Sequence, residues 1–195
     1  YPRYFIFPSK QIYALHLLIK FLEILKPQKI DFFLVSGCLL GAVRQESFAG
    51  RPTDVDLGIK EDQLPKLLDA IPLLIKNGVK FIRREPYDKF DRLQILFPSI
   101  LVDIAVYRKI NVGKKEMWVG EINKDVPEKI NGVSFPITDL ENLISIKVYG
   151  KKFMSPANPE IYLEKVYGKN WKIPDKKQFF WKNKFNYKIT ISNHP

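Results

Sequence analysis

Between residues 9 and 26 apolar side chains return every three or four positions, at Ile12, Leu15, Leu18, Ile19, Leu22 and Leu25, which gathers them on one face of a helix. Ser9 stands where it caps that helix, and Pro27 closes it. A short apolar run over 31–35 reads as a strand, 39–45 as a short helix, and 54–59 as a strand in which Asp alternates with apolar residues. Helical spacing resumes over 61–76, interrupted by Pro65 and Pro72, and stops at Asn77-Gly78. Three strand candidates follow at 79–83, 93–97 and 101–107, the last two joined by a turn at Pro98-Ser99. In the C-terminal third Thr138-Asp139-Leu140-Glu141 has the form of a capping box, which predicts a helix reaching about Tyr149. Asn158-Pro159-Glu160 starts another that stops near Tyr167-Gly168, and the Lys- and aromatic-rich tail from Lys176 carries no clear pattern.

The 54–59 strand is where chemistry enters. Side chains on a strand alternate faces, so Asp54 and Asp56 point the same way, roughly 6.5–7 Å apart along the strand, while Val55 and Leu57 turn into a core. Two aligned carboxylates suit Mg²⁺, which prefers oxygen ligands and is commonly shared between protein carboxylates and substrate phosphates. An isolated Asp-x-Asp is a weak motif. It gains weight from the glycine-containing stretch Ser36-Gly37-Cys38-Leu39-Leu40-Gly41-Ala42-Val43-Arg44 ahead of it and from Asp103, alone in the apolar run 101–107. A buried carboxylate is costly unless a metal or a neighbouring Arg pairs with it. Ser36 and Gly37 are placed to offer backbone N–H groups to a phosphate, or form a plain strand-ending turn. Arg44 has the planar fork for a donor phosphate, or makes a surface ion pair. Arg51 is a further phosphate candidate, although, like Lys60, Arg83, Arg84 and Arg92, it reads first as a solvated charge. Trp171 stacks on a base or sugar or packs in the core. His16, within an apolar helix, and His194, next to the terminus, are the only histidines, which argues against a Ser-His-Asp or Cys-His enzyme.

The order of apolar strand, Ser-Gly turn, Asp-x-Asp and later apolar-Asp-apolar strand resembles the nucleotidyltransferase fold, and the wording resembles the LicD and fukutin family. Members read approximately SGTLLGAVR, then Phe, then an acidic strand; the counterparts are Ser36 to Arg44, Phe48 and Asp54-Val55-Asp56-Leu57-Gly58. The family's Tyr-Gly elements followed by Trp and Pro match Tyr149-Gly150 and Tyr167-Gly168-Lys169-Asn170-Trp171-Lys172-Ile173-Pro174. Two features depart from it. Bacterial relatives often carry Trp-Asp before the acidic pair, where this chain has Arg51-Pro52-Thr53, and the cysteine cluster of some eukaryotic relatives is missing because Cys38 is the only cysteine.

The resemblance implies an α/β (α+β) fold, a nucleotidyltransferase-like mixed sheet flanked by helices. Its catalytic core would cover about 28–110, a helical C-terminal part about 136–175 and a peripheral tail 176–195, all in one domain. It also implies transfer of a phospho-alcohol from a CDP-linked donor, such as CDP-choline, CDP-ribitol or CDP-glycerol, to a hydroxyl of a glycan or glycoconjugate. Asp54, Asp56 and Asp103 would hold Mg²⁺ (or Mn²⁺), with Asp103 either a ligand or the base, and Ser36, Gly37, Arg44 and Arg51 would meet the donor phosphates. Nucleotidyl transfer with pyrophosphate release would use the same aspartates. A non-catalytic glycan- or nucleic-acid-binding relative is the third reading.

Composition narrows these choices. A chain of 195 residues holds one full core and little more. The formal net charge of +11, from 32 Lys+Arg against 21 Asp+Glu, attracts nucleic acid, an anionic membrane surface or a nucleotide-diphosphate donor, or reflects lysines spread over solvated faces. Nucleic acid is not expected, because three gathered carboxylates repel phosphates in the absence of a metal. A single cysteine and the lack of any Asn-x-Ser/Thr sequon fit a reducing compartment, the cytoplasm or the inner face of a membrane. The start at Tyr1 leaves room for a removed anchor, in which case a eukaryotic protein would sit in the Golgi lumen.

Overall fold

The structure is a computed structural model describing residues 8–49, 54–87, 90–120 and 133–174. Arg51 and the tail from Lys176 lie outside the described residues, as do the side chains of Ser9, Arg83 and Arg84.

The chain opens with α1 (Pro8–Leu25), followed by the two-residue strand β1 (Phe33–Leu34), α2 (Ser36–Gln45) and the acidic strand β2 (Asp54–Lys60). The helical stretch expected over 61–76 is divided into α3 (Leu64–Asp69) and α4 (Ile71–Lys76), each with a proline in its first turn. Proline cannot donate the N–H that would carry a helix through, so Pro72 starts a new helix instead of continuing the old one. Then come β3 (Phe81–Tyr87), β4 (Phe90–Phe97), β5 (Ile100–Val112), β6 (Lys115–Gly120) and β7 (Val133–Pro136). Among the described residues these strands form one mixed sheet in the order β1-β2-β5-β4-β3, with β6 and β7 continuing from the far half of β5. Among these described strands only β2 and β5 run parallel.

Central position explains the composition of β5. Val102, Ile104 and Val106 are buried on one face and Asp103, Ala105 and Tyr107 on the other, so the strand reads as an almost unbroken apolar run. The first face continues through Val55, Leu57 and Ile59 of β2 and Leu93, Ile95 and Phe97 of β4, and Phe21 of α1 meets Phe97 there. On α1, Leu15, Leu18 and Leu25 are buried as the spacing predicts, with Ala14, Leu17 and Phe21 beside them. Ile12 is exposed, because the buried stripe passes through Gln11 and Ala14.

The second face carries the aspartates and an aromatic row. The Phe33 ring lies over Gly58 and is followed by Tyr107, Phe135 and Tyr162 at centroid distances of 5.4, 5.3 and 4.8 Å. A Cβ on Gly58 would fall 2.3 Å from the Phe33 ring, so the small residue at that position is what admits the row.

The C-terminal part departs from the expected long helix. α5 (Ile137–Glu141) lasts five residues and has Pro136, not Thr138, at its cap. It gives way to a hairpin of β8 (Ile144–Val148) and β9 (Lys151–Ser155). Ile144, Ile146 and Val148 alternate with Ser145 and Lys147, a period of two that only a strand satisfies. Tyr149 and Gly150 have φ of 48° and 73°, the left-handed pair of a tight hairpin turn, so this Tyr-Gly is a turn and not a helix end. α6 (Pro159–Tyr167) follows as the Asn158-Pro159 signal predicts and stops at Gly168, and Trp171 packs into the core.

Candidate functional site

The site forms where β2 and β5 lie side by side. Their parallel register pairs Asp54 with Leu101 and Asp56 directly with Asp103, so two carboxylates become neighbours across the sheet although far apart in sequence. One oxygen from each of Asp54, Asp56 and Asp103 lies within 4.8 Å of the other two. Burial is graded across the set: Asp103 is buried, Asp56 half-buried and Asp54 the most open.

Asp103 has the partner that its apolar surroundings require. Arg92 opposes Ala105 on β4, two residues along from Gln94, which itself opposes Asp103; from there its guanidinium reaches diagonally and donates to both Asp103 oxygens, from Nε and Nη2. The reading of Arg92 as a solvated charge is therefore corrected. Its signal in the sequence was the alternation Arg92-Leu93-Gln94-Ile95, which sends both polar side chains to the aspartate face.

The start of α2 forms the second wall. Gly37 N–H donates to Asp56 Oδ2 at 3.0 Å, and a Cβ on residue 37 would lie 3.2 Å from that oxygen. Asp56 N–H in turn points to Cys38 Sγ at 3.2 Å. Burial pushes the Cys38 thiol well above its ordinary pKa, with the Asp56 charge adding to the effect, so the sulfur is a protonated neighbour of the site. Ser36 holds the unusual φ of 45°, and its N–H donates to the phenol oxygen of Tyr162 at 3.0 Å. Ser36 and Gly37 thus belong to the first turn of a helix, not to a free-standing turn, and both N–H groups have protein acceptors. Tyr162, at the end of the aromatic row, was not singled out from the sequence; nothing in its local pattern separates it from an ordinary core residue of α6.

Further along α2, Gly41 admits the chain that returns over the helix: a Cβ there would meet Ala49 N and Ser47 O at 2.3 Å. Arg44 sits half-buried in the last turn. Seven residues after Gly37 it comes back to within about 20° of the same helix face, and helical side chains slant towards the N-terminus.

As a donor set the three aspartates supply only hard carboxylate oxygens. Ligands about 2.1 Å from an octahedral cation stand about 3 Å apart when adjacent and about 4.2 Å apart when opposite. A group already within 4.8 Å closes on such an ion by small side-chain rotations, so the arrangement fits a hard divalent cation. Among the described residues no helix is long and apolar enough to cross a membrane.

Comparison with known proteins identifies the fold and the family. Solved structures of ANT(2'')-Ia resemble the chain at 13% identity: a solution structure of this antibiotic-resistance factor has a TM-score of 0.51 and covers 87% of this chain and 79% of its own. A crystal structure of ANT(2'')-Ia in complex with adenylyl-2''-tobramycin has a TM-score of 0.47 over 83% of this chain and 79% of its own. At that identity the first likeness is one of fold alone. No curated protein matches the chain. The family described as LicD/FKTN/FKRP, nucleotidyltransferase domain, matches residues 29–158, which takes in α2, the three aspartates and Arg92. With the acidic strand pair and the mixed sheet in place, the chain belongs to the LicD/FKTN/FKRP family, a transferase on the nucleotidyltransferase-like fold.

Proposed function

We propose that the chain moves a phospho-alcohol group (phosphocholine, ribitol phosphate or glycerol phosphate) from a CDP-linked donor to a hydroxyl of a cell-surface glycan or glycoconjugate, with release of CMP. The convergence of Asp54, Asp56 and Asp103 in a domain of this family is the observation that carries the reading. The cation is Mg²⁺ or Mn²⁺, held by the three carboxylates, and it would neutralise charge on the donor phosphates as the phosphoryl group passes. Asp103 is buried and already holds a positive group through both of its oxygens, which suits it to a cation and favours the ligand role over the base role. Gly37 stands beside Asp56, whereas Ser36, buried with its N–H on Tyr162, supports the start of α2 from behind; Arg44 is assigned to the donor phosphates by its place in the motif. Arg51 is assigned to the same phosphates by its place in the motif.

The family's nucleotidyltransferase description favours one second reading, transfer of the nucleotide itself with loss of pyrophosphate. Both are tested by incubating the protein with CDP-choline, CDP-ribitol or CDP-glycerol, or with CTP and a phospho-alcohol, in Mg²⁺ and then in EDTA. CMP from one CDP-linked donor, abolished by EDTA, is the expected result. Pyrophosphate from CTP without CMP would replace the first reading with the second, and undiminished turnover in EDTA would remove both.

A further inference from the structure

The acidic cluster already contains a cation of its own. Asp103 is 6% exposed and Arg92 46% exposed, so the carboxylate is fixed in the sheet while the arginine that holds it lies against open space. Both Asp103 oxygens receive Arg92 donors, and Asp103 is at the same time the register partner of Asp56. A guanidinium in that position offsets the mutual repulsion of three carboxylates gathered within 4.8 Å. It also opposes an arriving divalent ion, because two positive centres would then share one carboxylate at close range in a half-buried setting, where charges are weakly screened.

From this we propose that Arg92 is an exchangeable counter-ion of the site. It occupies Asp103 while the site is empty of metal and donor, and passes to the donor's phosphate when they bind. The inference rests on the phosphoryl-transfer reading and adds to it the control of loading. Its direction follows from charge. Once a divalent ion neutralises the carboxylates, the strongest uncompensated negative charge nearby is the diphosphate, and the forked arginine head pairs with phosphate as well as it does with carboxylate. The nearly half-exposed side chain of Arg92 permits that move, whereas the buried Asp103 stays in place. Metal and donor would therefore load together. Metal alone has to displace the arginine; with the donor present, the displaced arginine gains a new partner.

The consequence has opposite signs for the two ligands, which a purely structural role would not produce. Apparent affinity falls by the fraction of molecules in which the site is competent, so if about nine in ten hold Asp103 on Arg92, removing the arginine tightens metal binding about tenfold. Calorimetric titration of Mn²⁺ into wild-type protein, Arg92→Gln and Arg92→Lys, without donor, reads the first sign. Titration of a CDP-linked alcohol at saturating Mn²⁺ reads the second. Arg92→Gln is expected to bind Mn²⁺ about tenfold more tightly and the donor more weakly, with Arg92→Lys between it and wild type on both scales because the charge remains and the fork does not. Should Arg92→Gln not fold, Arg92→Lys carries the same two signs. Unchanged or weaker Mn²⁺ binding in a folded variant, with wild type binding normally, overturns the exchange and leaves the phosphoryl-transfer reading standing. Absence of Mn²⁺ binding in wild type and variants alike overturns both.

Discussion

Asp56 serves two partners at once, accepting the Gly37 N–H at 3.0 Å and facing Asp103 across the sheet. An Asn in its place keeps a carbonyl oxygen for Gly37 but loses the charge a cation needs. Asp56→Asn is accordingly expected to abolish CMP release while leaving stability within about 1 kcal/mol of wild type, since it also relieves repulsion among three carboxylates; parallel turnover and urea-unfolding measurements check this. Arg44 is the other residue whose role separates by a conservative change. Arg44→Lys retains the charge and loses the two-pronged contact, so donor affinity should fall about tenfold if the guanidinium grips a phosphate. If instead it only makes contacts within the protein, the change leaves donor affinity untouched whatever it does to stability. Calorimetry with a CDP-linked donor at fixed Mg²⁺ distinguishes the two, equal affinities assigning the phosphate contacts to other groups. The aspartates were legible at this scale because each is an acidic residue in an apolar strand, an arrangement that demands an explanation. Arg92 was not, because an arginine next to a polar alternation looks the same whether water or Asp103 receives it.

At the level of elements, the acidic strand stays aligned because α2 is held from both ends. Its first turn hangs on Tyr162 of α6 through the Ser36 N–H, and its second half is overlaid by the returning chain at Gly41. Tyr162→Phe keeps the ring stacked on Phe135 but leaves a buried N–H without this acceptor, for an expected loss of about 1–3 kcal/mol in urea unfolding. Gly41→Ala is expected to cost at least as much, since its Cβ meets backbone atoms at 2.3 Å that cannot step aside as a side chain would. The same level shows where the sequence misled. Thr138 and Glu141 satisfy the capping-box pattern, yet Pro136 sets the helix start and the helix ends at once, because Ile144, Ile146 and Val148 find burial or hairpin pairing at a period of two. Local capping was outweighed by a tertiary pairing that no short window contains. The α2 motif erred in the other direction: its glycines suggested a turn, whereas they are the close-approach points of a helix, at Gly37 to Asp56 and at Gly41 to residues 47–49.

For the whole molecule, the family resemblance and the fold agree, and the apolar run of β5 is explained by its central place, buried on both faces, whereas β2 turns apolar residues to one face only. What could not be read was the parallel register that sets Asp56 beside Asp103, since it depends on the long connection between β2 and β5 and not on either strand alone. That register gives the molecule a concentrated negative site on a chain of formal net charge +11. Such a chain repels cations in general, so any stabilisation by a divalent ion must come from a local site and not from diffuse association. A ligand bound to the folded state alone at 100 times its dissociation constant stabilises by about 2.7 kcal/mol, which for a domain of this size raises the unfolding temperature by about 5–10 °C. Thermal unfolding of the wild type should show that rise on addition of Mn²⁺, reversed by EDTA. Asp56→Asn should show almost none of it, and monovalent salt at matched ionic strength should not reproduce it. An equal rise in wild type and Asp56→Asn would place the cation elsewhere on the molecule and separate the acidic cluster from metal binding altogether.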